Sequence, residues 1–129
     1  MKAVGLLLIA LLAFTACNTD YEVPLPNKYV LGRISPGEFV VVAPDHRHIL
    51  VGPTVYEYAV VGAIITGHVR APGGATSYFI IDTDKAALAE RLGRDSWNRE
   101  LAACGVRDVR LVPPSRPARR YGVLDLFRR

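Results

Sequence analysis

The densest grouping of chemistry-bearing side chains in this sequence is Asp45-His46-Arg47-His48. On a strand, side chains two residues apart share a face, so His46 and His48 would present two imidazoles side by side. With His68 or Asp82 as a further donor, that begins to resemble a zinc or copper site. The same residues follow Pro44 in a polar stretch, where alternating Asp and His form an ordinary solvated turn. The turn is the preferred reading, and no metal or cofactor is expected. Asp82 and Asp84 flank Thr83, but turn carboxylates do not define a glycosidase pair. Asp82-Thr83 is accounted for by side-chain bonding to nearby backbone N–H groups. Gly73-Gly74 lacks the spacing of a phosphate cradle, and the chain holds no Gly-x-Ser-x-Gly elbow, Walker loop, His-Glu-x-x-His or Cys-x-x-Cys pair. None of these residues specifies an enzyme.

The chain has two cysteines, Cys17 and Cys104, in very different settings. Before Cys17 stand a positive start, Met1-Lys2, and an apolar run from Ala3 to Ala16. That layout is a secretory leader, and the run is shorter than the about 20 residues a transmembrane helix needs. Ordinary leader cleavage wants a small residue three positions before the cut, where this chain has Phe14. Phe14-Thr15-Ala16-Cys17 instead resembles a lipobox, whose cysteine thiol takes a diacylglycerol. The expectation is that residues 1–16 are removed and that Cys17 carries lipid. Two or more acyl chains anchor stably where one is marginal. In the sorting pattern of bacterial lipoproteins, Asp directly after the cysteine favours the inner membrane. Asn18 therefore points to the outer membrane, with the domain facing the periplasm.

From Cys17 onward the chain has the length of one domain. Loss of the leader removes Lys2 and no acid, taking the formal charge from +4 to +3. The basic excess is concentrated at the end, in Arg116, Arg119, Arg120, Arg128 and Arg129 against Asp125. Beside a membrane such a segment can meet anionic headgroups, or it can be a solubilising tail. An exported location and the lack of an aromatic-basic module argue against nucleic acid as a partner. With Cys17 acylated, Cys104 has no partner in its own chain. It is expected as a small buried hydrophobe, with an intermolecular disulfide as the alternative.

Residues 17–28, with Pro24 and Pro26, read as the lipidated cysteine and an extended tether. The globular domain is expected over 29–112. Short β-type runs occur at 29–34, 38–43, 48–51, 55–61, 63–69 and 78–81, separated by Gly and Pro. Asp84 to Gly93 has the composition of a short helix or turn closed by glycine. Asp95 or Ser96 suits the N-cap of a helix over Trp97–Cys104, with Trp97, Leu101 and Cys104 on one face. Residues 106–112 could return as a strand, and 113–129 form a basic, Pro- and Arg-rich segment with a closing run at Tyr121–Phe127. The fold class is α+β: a small antiparallel, meander-like sheet with one or two short helices packed on it.

Tyr78-Phe79-Ile80-Ile81-Asp82-Thr83, followed by Trp97, Leu101 and Gly105-Val106, resembles a pattern in a group of small, mostly uncharacterised exported or lipid-anchored bacterial proteins. Val55-Tyr56-Glu57-Tyr58-Ala59-Val60 with Gly62 and Gly67 shares that likeness, which covers roughly residues 50–106. It implies a strand, a turn and a helix docked through Trp and Leu, and it carries no activity.

The expectation is a lipid-anchored protein of the bacterial cell envelope, attached to the membrane through Cys17. Its domain would bind another envelope protein or serve a structural role, through a strand edge or the helix face. A periplasmic inhibitor or immunity-type lipoprotein is the alternative.

Overall fold

The computed structural model describes residues 21–114. Among the described residues, eight strands form two four-stranded antiparallel meanders. Sheet A runs β1 (Tyr21–Pro24), β2 (Val30–Ser35), β3 (Glu38–Val42) and β4 (Ile49–Val51). Sheet B runs β5 (Val55–Val61), β6 (Ile64–Arg70), β7 (Thr76–Asp82) and β8 (Ala87–Leu92). One helix, α1 (Arg94–Ala103), follows. The α+β class is present as expected, with the meander divided into two sheets and a single α-helix among the described residues.

Alternation along the strands decides the layering. Leu31, Val41 and Val51 of sheet A meet Val55, Tyr58, Val60, Ile65, Phe79 and Ile81 of sheet B in the main core. Ile64 and Ile80 point the other way and are covered by Trp97, Leu101 and Val106. Sheet B is thus the middle layer, apolar on both faces. That is why β7 loses the alternation of a half-exposed strand and buries Phe79, Ile80 and Ile81 in succession. Gly67 lets Phe79 lie across β6: a Cβ there would sit 2.3 Å from the Glu57 carbonyl oxygen and 2.9 Å from the Phe79 ring.

Register fixes the two ends of the sandwich. At one end Tyr21 lies opposite Arg33, and Arg33 opposite Phe39. The Thr54 hydroxyl donates to the Gly37 carbonyl (2.9 Å) and accepts from the Phe39 N–H (3.1 Å). Thr54 and Arg70 exchange both backbone bonds at 3.1 and 3.0 Å. The β2–β3 turn, the 52–54 turn and the β6–β7 hairpin therefore share the end where β1 begins. At the opposite end, the Asn27 amide donates to Thr83 Oγ1 (2.8 Å) and Asp84 Oδ1 (2.9 Å), joining the β1–β2 and β7–β8 connections.

Several expectations are corrected. Residues 21–28 are not an extended tether: β1 pairs with β2, Pro26–Lys28 forms a 3-10 turn, and Leu25 is buried. Pro24 is tolerated because β1 is an edge strand. The helix or turn expected over Asp84–Gly93 is a hairpin. Asp82 Oδ1 accepts from the N–H groups of Asp84 and Lys85, Ala86 takes φ +51°, and the chain returns as β8 on β7. Pairing with the buried β7 overrides the helix propensity of Ala-Leu-Ala-Glu-Arg-Leu, a segment too short to be helical alone. Gly93 consequently caps the start of α1, three residues before the expected start at Trp97, and no Asp95 or Ser96 side chain caps it.

Cys104 is exposed, not buried. The helix closes in a Schellman motif: the Val106 N–H bonds to Leu101 O, the Gly105 N–H bonds to Ala102 O, and Gly105 takes φ +78°. Val106, not Cys104, completes the stripe begun by Trp97 and Leu101. The strand expected over 106–112 is reduced to one antiparallel bridge, Val112 to Tyr58. Cys17, residues 1–16, the arginines from Arg116 onward and the Tyr121–Phe127 run lie outside the described residues. Among the described residues, no helix is long and apolar enough to cross a membrane.

Candidate protein-binding face

The three histidines do not converge. His46 and His48 occupy the loop between β3 and β4, at the end away from the first residue of β1, and both are exposed. Asp45 organises that loop by accepting from the backbone N–H groups of Arg47 (2.9 Å) and His48 (3.2 Å) and by pairing with the His48 ring. The Arg47 N–H, followed by the His48 side chain, holds the Asp45 carboxyl below its ordinary value. This is a self-satisfied polar turn. Asp82 is spent on the β7–β8 turn. Among the described residues, no group of three or more His, Cys, Asp or Glu side chains could hold a metal ion.

His68 instead joins a row of rings across the outer face of sheet B. Its imidazole stacks on Tyr78, centroids 4.5 Å apart with planes at 15°. Tyr78 stacks in turn on Trp97 of α1, at 4.3 Å and 21°. On the other side, Tyr56 meets His68 edge-on at 5.8 Å and 81°. The Arg70 guanidinium carbon sits 4.3 Å above the Tyr56 ring. The row is pinned at its buried end, where Trp97 Nε1 donates to Thr66 Oγ1 (2.7 Å) and that hydroxyl donates to the Phe79 carbonyl (2.6 Å). Each ring pair is worth about 1 kcal/mol beyond its buried area, and a surface cation–π contact about 0.5–1 kcal/mol.

Strand periodicity supplies half of this arrangement. Thr66, His68 and Arg70 alternate onto one face of β6, and Tyr78 lies directly opposite His68. The other half comes from a bulge. Val55 pairs with Val69 and Glu57 with His68, so Tyr56 is an extra residue in β5. A bulge re-aims side chains, and here it places both Tyr56 and Glu57 beside the same histidine. Glu57 Oε1 lies 3.9 Å from His68 Nδ1.

Burial falls steadily along the row. Trp97 is 7% exposed and Thr66 fully buried, while Tyr56 is 44% exposed. Its outer end is therefore an accessible tyrosine–arginine pair, with a histidine and a glutamate beside it, on a base that cannot shift without disturbing the core. Sequence reading singled out His68 with the wrong companions and passed over Tyr56, Glu57, Arg70 and Tyr78 as a group. The discoverable signal was the i, i+2, i+4 run of Thr66, His68 and Arg70.

The strand edges offer less. β1 carries Pro24, β4 has three residues, the middle of β5 is bridged by Val112, and β8 is bulged at Glu90 and Arg91. Proline, shortness, cover and bulges are the devices that stop a sheet from pairing with another chain. The exposed side of α1 is polar, with Arg94, Asp95, Asn98, Arg99 and Glu100.

No family model, curated protein or solved structure matches this chain.

Proposed function

We propose that the chain is a lipid-anchored bacterial envelope protein whose domain binds another envelope protein without catalysing a reaction. The anchored half rests on the Met1-to-Cys17 leader pattern, with acylation of Cys17 and an outer-membrane location facing the periplasm. The observation that carries the binding half is the exposed Tyr56–Arg70 pair, braced through His68 and Tyr78 on buried Trp97. Tyrosine and arginine are the residues that most often dominate protein–protein affinity. A side chain already held in place loses little freedom when a partner covers it. Blunted edges and a polar helix face favour this patch over strand addition.

The test is in-cell cross-linking of the tagged full chain, with mass spectrometry of the products and palmitate labelling in parallel. Labelling should disappear in Cys17→Ala, and one dominant envelope protein should be captured by wild type and lost in a Tyr56→Ala, Arg70→Ala double variant. Label that persists in Cys17→Ala contradicts the anchor. A partner captured equally by the double variant contradicts the patch.

A further inference from the structure

Resting on the anchored reading, we infer that the end of the sandwich where β1 begins docks against the surface of the bilayer that holds the anchor. The partner bound at Tyr56 and Arg70 is therefore engaged at headgroup level.

Chain length sets the first constraint. β1 begins at Tyr21, four residues after Cys17. Even fully extended, such a connection spans only about 14 Å. The row of residues level with Tyr21, running through Arg33, Phe39, Thr54, Arg70 and Thr76, is thus held close to the lipid.

Composition sets the second. Three of the connections at the tether end, Ser35-Pro36-Gly37, Gly52-Pro53-Thr54 and Ala71-Pro72-Gly73-Gly74-Ala75, contain no ionisable side chain, and the fourth, from β8 through Gly93 into α1, leads to Arg94 and Asp95. Ile34, 39% exposed, stands beside the first of them. The connections at the far end hold Lys28, Asp45, His46, Arg47, His48, Asp84 and Lys85. Bringing uncharged turns against a headgroup layer costs little desolvation, whereas charged turns are expensive to desolvate. A cleft of about 460 Å³, lined by Val51, Pro53, Val69, Pro72 and Phe79 together with Glu90 and Arg91 of β8, lies at the same end.

The path of the C-terminal chain sets the third. At the Tyr58–Val112 bridge it runs antiparallel to β5. β5 leads away from the tether end, so the chain is heading back toward that end as it approaches Pro114. The arginines at 116, 119, 120, 128 and 129 come next in the chain. Basic residues next to an anionic leaflet are attracted to its headgroups.

The test places a fluorophore on single cysteines in the full lipidated chain, in a Cys104→Ser background. Pro72→Cys reports the tether end and Asp84→Cys the far end. The protein is reconstituted in phosphatidylethanolamine–phosphatidylglycerol vesicles containing lipids spin-labelled near the headgroup. The expected result is loss of most of the fluorescence at position 72 and its retention at position 84. Acylation is established separately from the mass of the N-terminal peptide. Equal quenching at the two positions, or stronger quenching at 84, in protein shown to be acylated overturns this inference alone. An unmodified Cys17 overturns the anchored reading together with it.

Discussion

The outer face of sheet B is divided in two. In one half Ile64, Thr66 and Ile80 lie under Trp97, Leu101 and Val106 and are closed to solvent. In the other, His68 and Arg70 of β6 and Tyr56 and Glu57 of the neighbouring β5 remain accessible. A single row of rings runs from the first half into the second. The closed half spends its aromatic surface on stability, and the open half presents aromatic surface that stability has already fixed in place. The patch proposed to bind a partner is therefore not a loop. It is the unburied end of a row of rings that begins in the core.

That contrast can be broken most severely at its closed end. Trp97→Ala removes the covering indole, its bond to Thr66 and its stack on Tyr78; a loss of about 3–5 kcal/mol is expected. Chemical denaturation measures it, and a loss below about 1 kcal/mol would show that the helix is not what closes this half. Gly67→Ala is next, because its Cβ would meet backbone and ring together. Overpacking of this kind costs about 1–3 kcal/mol, and the near-ultraviolet circular dichroism of the ring row should change with it. Gly105→Ala is smaller, about 1 kcal/mol, since it forces a side chain into the positive φ of the helix stop.

At the open end the order reverses, with little stability at stake and binding lost. Tyr56→Ala should cost about 1–2 kcal/mol in stability, the sum of its ring contact and its cation–π contact, while abolishing partner capture. The smallest effect belongs to the distant β3–β4 loop. Asp45 titrates below its ordinary value because the folded loop stabilises its carboxylate. Its contribution is therefore present above the unfolded carboxylate pKa, about 3.9, and lost as pH falls through the lower folded value. Amide shifts of Arg47 and His48 followed by NMR should track that loss, and partner capture by Asp45→Asn should equal wild type.

Much of the fold was legible in the sequence because its signals are local. The Val- and Ile-rich runs between glycines and prolines gave β2 to β7 within a residue or two, and Trp97 with Leu101 gave the docked face of α1. Signals that depend on distant partners were not legible. β1 looks like a tether until β2 is there to pair with it. β8 looks helical until β7 claims it. The break between the two sheets at Gly52-Pro53 resembles every other turn in the chain. The site was half legible for the same reason: alternation along β6 is local, but the bulge that brings Tyr56 and Glu57 to His68 exists only in the register between β5 and β6.

Binding through the open end of the ring row is most directly tested by site-specific photo-crosslinking in cells. A photoreactive phenylalanine analogue is placed at Tyr56 and, as the comparison, at Asn98 on the polar side of α1. One dominant protein adduct is expected from position 56 and none from position 98. The same adduct from both positions, or an adduct from position 98 alone, would contradict binding at this patch.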